Sequence, residues 1–324
     1  MMTLVKITTA FKLIILSLAI VLFVQSPVHC QYQVSNQDKN EDIIRVDSNL
    51  VTVPTMVSTR SGLYISNLKK EDFEIYENGT PQEIAVFEPT EKPFTVFLLL
   101  DKSGSMRNNY TELEHAAKSF VEQLRPDDQI IAATFADNVD ILWQTTKVKD
   151  LKKEIKIKKQ FTIYTRLYDA VDFAIKKMKK IRERKAIIVF SDGLGDGVFA
   201  SARDNLRAAE ESEALIYTVQ YNTFSEVAPL HVNQKAYSEG IVNANRYMSF
   251  LAQISGGRDF RIEKISDLDS TFGSVANELR QQYTLGYYPK QPTPGRRQIK
   301  VKLNRPELNA SVRARASYVF EPKK

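Results

Sequence analysis

The 324-residue sequence predicts an α/β fold, in which a doubly wound sheet is inserted in a smaller all-β sandwich built from both flanks. Three observations carry this. Two short continuous apolar runs, Phe97–Leu100 and Ala186–Phe190, have the pattern of strands covered on both faces, as in a parallel sheet. Strand and helix patterns alternate through the centre of the chain, as crossover units require. The flanks, in contrast, read as strands and turns only.

Taken in order, the central elements are as follows. The strand through Phe97–Leu100 meets the polar loop Asp101-Lys-Ser-Gly-Ser105. Thr111 to Leu124 has helical apolar spacing, with Leu113, Ala117, Phe120 and Leu124 in register. Gln129–Phe135 and Val139–Trp143 read as strands joined by a tight Ala136-Asp137-Asn138 turn. The basic runs Lys147–Lys159 and Lys176–Lys185 read as solvated helix faces with Leu151, Ile155, Met178 and Ile181 turned inward. Thr165 stands at a favoured N-cap position before a helix from Leu167 to about Met178. A strand from Ala186 to Phe190 ends at Ser191-Asp192-Gly193. Then come a helix near Ala202–Glu211, a strand Ala214–Gln220, a helix near Arg246–Ile254, a strand Arg258–Arg261 and a helix Leu268–Gln282.

In the flanks, Leu50–Thr59 alternates with period two, and Asp72–Phe87 is a hairpin signal with Asn78-Gly79 at its turn. Tyr283–Tyr288, Gln298–Leu303 and Val312–Phe320 read as three further strands. Neither flank has enough strands for a core of its own. Pairing between them is therefore expected, with the partition 1–30 signal peptide, 31–44 polar leader, 45–92 first part of the sandwich, 93–282 inserted domain and 283–320 second part of the sandwich.

The chemistry concentrates beyond the carboxyl ends of the two apolar strands, where open α/β sheets build their sites. Asp101, Ser103 and Ser105 stand at alternate positions and converge if the loop curls, which Gly104 makes easy. Hydroxyls and a carboxylate suit Mg²⁺ or Mn²⁺ rather than zinc. Three such donors leave the ion underligated, and the segments at Thr165 and Asp192 are able to complete it.

These segments, Asp101-x-Ser103-x-Ser105, Thr165 ahead of Leu-Tyr-Asp-Ala, and Ser191-Asp192-Gly193, together resemble the von Willebrand factor type A (VWA) family over about residues 93 to 282. The resemblance implies a Rossmann-like domain with a metal ion-dependent adhesion site at Asp101, Ser103, Ser105, Thr165 and Asp192. One position is left open for an acidic group of a partner protein. Lys102, Met106, Tyr164 and Arg166 would form the rim that sets selectivity. Family analogy also implies that the last helix, 268–282, shifts on ligation. One departure is that Ile163-Tyr164 replaces the Gly-Gly that often precedes the family's threonine. Over about residues 45 to 320 the chain also resembles bacterial secreted proteins with a VWA-related domain, through the Asp72–Gly79 hairpin and the Tyr-Thr-Leu-Gly-Tyr-Tyr-Pro strand at 283–289.

Lys6 and Lys12, the apolar stretch Leu13–Val24 and the Pro27-Val-His-Cys30 segment form a signal-peptide pattern, too short to span a bilayer comfortably. Export with cleavage after Cys30 is expected. The alternatives are a retained anchor at 13–24 or a lipidated Cys30, and His29 argues against the second. Cys30 is the only cysteine, so the exported chain has no disulfide. The net charge of +6 is mild, and no base-stacking motif accompanies the basic runs, so a nucleic-acid partner is not expected.

Enzymatic readings are weaker. A phosphatase with Asp101 as nucleophile would need a second carboxylate at position 103, where Ser103 stands. The Gly193-Leu-Gly-Asp-Gly197 run lacks phosphate-loop spacing, and Asp196 would repel a phosphate. Only His115 and His231 remain for a hydrolase once the signal peptide is removed, and histidine poverty argues against zinc. The expectation is a non-enzymatic, exported adhesion module. A structural envelope protein with an empty metal loop and, less favoured, a metal-dependent phosphohydrolase are the alternatives.

Overall fold

The computed structural model describes residues 50–89, 92–151, 155–158, 162, 164–221 and 234–321. The expected signal peptide, the leader and His231 lie outside these residues. Among the described residues no helix is long and apolar enough to cross a membrane.

The central sheet is formed by β5 (Phe94–Asp101), β6 (Gln129–Phe135), β7 (Val139–Lys147), β8 (Arg184–Ser191), β9 (Leu215–Tyr221) and β10 (Asp259–Ile262), in the order β10-β9-β8-β5-β6-β7. All neighbours are parallel except β6 and β7, which form an antiparallel edge pair. Helices α1 (Tyr110–Glu122), α2 (Leu167–Met178), α3 (Ala202–Glu211), α4 (Gln234–Ser255) and α5 (Leu268–Arg280) complete this part.

All eight residues of β5 are buried, and strand geometry sends alternate side chains to opposite faces. Val96, Leu98 and Leu100 pack with Leu113 and Phe120 of α1 and Phe272 of α5. Phe97 and Leu99 pack with Leu167 of α2, Ala209 of α3 and Leu251 of α4. Covering both faces is what makes the strand continuously apolar in sequence.

The flanks supply β1 (Val51–Thr59), β2 (Phe73–Glu77), β3 (Thr80–Gln82), β4 (Ile84–Glu88), β11 (Tyr283–Tyr287), β12 (Gly295–Leu303), β13 (Ala310–Ala314) and β14 (Ser317–Phe320). They form two four-stranded sheets, β13-β1-β11-β4 and β14-β12-β2-β3. In each sheet strands from the two ends of the chain pair with each other, with Val53 opposite Leu285 and Ile75 opposite Val301. Val53, Ile75, Tyr283, Leu285 and Tyr287 lie in the shared core. The β2–β3 turn is made by Asn78 and Gly79, both at positive φ, as a two-residue hairpin demands.

Several expectations need correction. The basic run from Lys147 is not a helix: β7 continues through Lys147 and only the short turn Val148–Asp150 follows. Further along, Ile155 and Ile157 are buried while Lys156 and Lys158 are exposed. That is a period of two, which the helical reading missed. The second basic run is likewise not one helix, because α2 ends at Met178 and Arg184 already pairs with Phe94. Ile155 and Met178 do turn inward. The strand expected over Val312–Phe320 breaks at Arg315-Ala316, with β13 on β1 and β14 on β12. At this corner Gly256 lets the backbones meet, since a Cβ there would lie 2.6 Å from the Arg315 nitrogen. Helix α4 starts well before Arg246.

Candidate functional site

The parallel strands β5 and β8 pair in register to Leu100 and Phe190, so Asp101 and Ser191 emerge at the same rim. Asp101 is fully buried. Its Oδ1 accepts from the Ser103 N–H at 2.7 Å and its Oδ2 from the Ser191 hydroxyl at 2.6 Å. The Ser103 and Ser105 hydroxyls are 3.1 Å apart, and Ser105 Oγ donates to Asp192 Oδ2 at 2.7 Å. Asp192 Oδ1 accepts from the Leu194 N–H at 2.9 Å. Four of the five expected metal ligands are thus joined in one hydrogen-bonded chain.

Thr165 is placed differently. It is not the N-cap, a position held by Arg166 without a side-chain capping bond. Its carbonyl accepts from the Asp196 N–H at 2.9 Å, and its hydroxyl makes no contact with the other four among the described bonds. Thr162 lies on the other side, its carbonyl 3.8 Å from where a Gly104 Cβ would stand. The Thr162 hydroxyl is buried without a partner among the described residues.

Two of the four expected rim residues are not at the surface. Met106 is fully buried in the core beneath α1. Lys102 is also buried, and its ammonium is drawn to Asp140 Oδ2 at 2.6 Å. Both side chains are turned into the protein rather than toward a partner. Tyr164 is exposed, with the Arg166 guanidinium 4.6 Å over its ring. Arg166 also pairs with Asp196 at 3.0 Å.

Burial and the nearby Asp192 carboxylate push Asp101 up to about 7, against the lowering effect of bonds from Ser103 and Ser191. Among the described ion pairs none involves Asp101; Lys102, its neighbour in sequence, is spent on Asp140. Two buried carboxylates at one rim, with no described lysine or arginine pair on Asp101, form a donor set that fits a cation. Among the described residues no group of three or more His, Cys, Asp or Glu gathers for a metal. Any ion here therefore depends on hydroxyl oxygens, which suits Mg²⁺ or Mn²⁺.

Two contributors were missed by sequence reasoning. Ser191 anchors Asp101, and its place directly before Asp192 was the available signal. Asp169 collects the N–H groups of Val198, Phe199 and Ala200 at 2.8–2.9 Å, which no local pattern announces. It fixes the loop after Asp192, leaving Phe199 93% exposed. The glycine run in that loop serves close packing: a Cβ on Gly195 would lie 2.8 Å from the Thr165 carbonyl, and one on Gly197 would meet the Ala200 carbonyl at 2.1 Å.

A mostly parallel sheet covered by helices on both faces, with hydroxyls and aspartates joined at its carboxyl rim, defines a Rossmann-like class of α/β domain. Residues 96–194 match the family model described as von Willebrand factor type A domain, so this part of the chain is a VWA domain. No curated protein matches it. Among solved structures, the ArnB paralog VWA2 from Sulfolobus acidocaldarius is 16% identical, over 84% of this chain and 75% of that one, with a TM-score of 0.42. A von Willebrand factor type A structure from Catenulispora acidiphila is 11% identical over 78% and 75%, with a TM-score of 0.43. Proximal thread matrix protein 1 from the mussel byssus, with a zinc-occupied MIDAS motif, is 13% identical over 64% and 50%, with a TM-score of 0.43. The chain spans about half the length of that mussel protein.

Proposed function

We propose that this chain is an exported, non-enzymatic protein-binding module that captures an acidic group of a partner through Mg²⁺ or Mn²⁺. Asp101, Ser103, Ser105, Thr165 and Asp192 would hold the ion. The observation that carries this reading is the bond from Ser105 to Asp192, which closes the two rim loops around one set of hard oxygens. Neutral hydroxyls make up much of that set, so the ion retains attraction for one further anionic oxygen. That chemistry is what the metal would supply. The protein's own part is to hold the serines and aspartates in place and to present Tyr164 and Arg166 beside them. The proposed partition keeps the inserted domain at 93–282 and the sandwich at 45–92 and 283–320, with residues 1–30 as signal peptide and 31–44 as leader.

The test is titration of the folded chain with Mg²⁺ and Mn²⁺, wild type against Asp101→Ala, alongside capture from envelope extracts with and without EDTA. Saturable binding lost in Asp101→Ala, with capture abolished by chelation, supports the reading. Capture that persists in EDTA would count against it. Absent ion binding in a folded protein would favour the structural alternative.

A further inference from the structure

A cavity of about 190 Å³ opens beside Asp192, lined by Leu194, Gln220, Ile241, Asn245 and Ile262 among others. It lies where the ends of β9 and β10 meet the loop after β8 and the outer turns of α4. Gln220 gives it a specific chemistry. The side chain is only 5% exposed, and its Nε2 donates to the Asp192 carbonyl at 3.0 Å. Turning the amide over would set two carbonyl oxygens against each other, so the orientation is determined by that bond. The other end, Gln220 Oε1, is buried without a partner among the described residues. A buried acceptor left unpaired loses its bond to water without replacement and calls for an explanation. The placement is also built: a Cβ on Gly193, at φ +78°, would stand 3.1 Å from Gln220 Nε2.

We propose that this cavity receives one side chain of the partner whose acidic group meets the metal. That side chain has an apolar body and a terminal N–H or O–H donor, as in Asn, Gln, Thr, Tyr or Trp. Leu194, Ile241 and Ile262 cover the body, and Gln220 Oε1 accepts the donor. The space is below the ~300–1,000 Å³ usual for small-molecule sites, which suits a single side chain. Asp192 belongs both to the cavity wall and to the hydroxyl–carboxylate cluster, so a residue close in sequence to the partner's acid reaches it. The inference rests on the metal-mediated reading.

The experiment uses a displayed library of twelve-residue peptides with one fixed Asp and randomised neighbours, selected on the full chain in Mg²⁺. Wild type is expected to enrich donor-bearing side chains near the Asp. Gln220→Met is expected to shift the preference to Leu, Met or Phe. Ile241→Trp, which fills the space from the partly exposed α4, is expected to weaken the enriched peptides at least tenfold while Mg²⁺ titration stays unchanged. Melting curves establish that both variants fold. Enrichment that is lost in EDTA but identical in wild type, Gln220→Met and Ile241→Trp overturns the cavity inference and leaves the metal reading standing; water then fills the space. Enrichment insensitive to EDTA overturns the metal reading, and with it the inference. Failure of wild type to enrich any sequence also overturns the inference.

Discussion

Ser105 and Asp192 stand 87 positions apart in the chain, yet the serine hydroxyl donates to the carboxylate at 2.7 Å. The bond exists because β5 and β8 are parallel neighbours and end at one rim. It ties the first polar loop of the domain to the second. Nothing local to either loop requires it.

Replacing Asp101 with Asn is expected to separate binding from folding. The buried carboxylate lacks a cationic partner among the described ion pairs, so Asp101→Asn should unfold in EDTA at the wild-type temperature or above. Mg²⁺ at a hundred times its Kd should stabilise wild type by about 2.7 kcal/mol and the variant hardly at all. Thermal melts with EDTA or MgCl₂ check both parts.

The raised Asp101 also determines a pH dependence for the metal-free protein. An Asp in the unfolded chain releases its proton near pH 4, whereas in the fold Asp101 keeps it up to about 7. Between these values the folded state holds more protons than the unfolded one, so stability falls as pH rises. The contribution is fully present below about pH 4 and lost by about pH 7. Urea denaturation in EDTA across this window should show the decline, and Asp101→Asn should flatten it.

Asp169 is expected to control the loop that displays Phe199. Its carboxylate accepts from three consecutive backbone N–H groups, so Asp169→Ala releases all of them. A stability loss of about 1–3 kcal/mol is expected, with faster proteolysis between Gly197 and Ser201. Phe199→Ser, at an exposed position, should change stability by less than about 0.5 kcal/mol. Chemical denaturation and limited proteolysis distinguish the two.

Glu278 is expected to hold α5 to the sandwich. It is fully buried and accepts from Tyr64 at 2.6 Å, from Tyr217 at 2.8 Å, and from Arg313. Arg313 belongs to β13 of the flanking sheets and Tyr64 is bridged to Ser58 of β1, whereas Tyr217 belongs to the central sheet. Glu278→Leu breaks this buried set and should cost about 3–5 kcal/mol, read by urea denaturation. A shift of α5 on ligation, which family analogy implies, would have to break the same contacts. Hydrogen exchange on α5 with and without Mg²⁺ measures whether they open.

The ordered alternation of Phe97–Leu100 and Ala186–Phe190 with amphipathic helices made the parallel sheet legible, because a strand covered on both faces has to be apolar at every position. Asn78-Gly79 marked its hairpin for an equally local reason, the positive φ of both residues. Asp101, Ser103, Ser105 and Asp192 could be named because they sit where those strands stop. Tertiary structure decided the remainder. Lys102, just before Ser103, and Met106, just after Ser105, turn inward, the first to Asp140 and the second into the core beneath α1. The helical reading of Lys147–Lys159 failed at its start because β7 runs on through Lys147, which pairs with Gln129 of β6, and a short turn follows. Asp169, Glu278 and Gln220 act across distances that no window along the chain spans. Burial and hydrogen bonding between remote segments are properties of the packed fold, and they exist only once the sheet has brought those segments together.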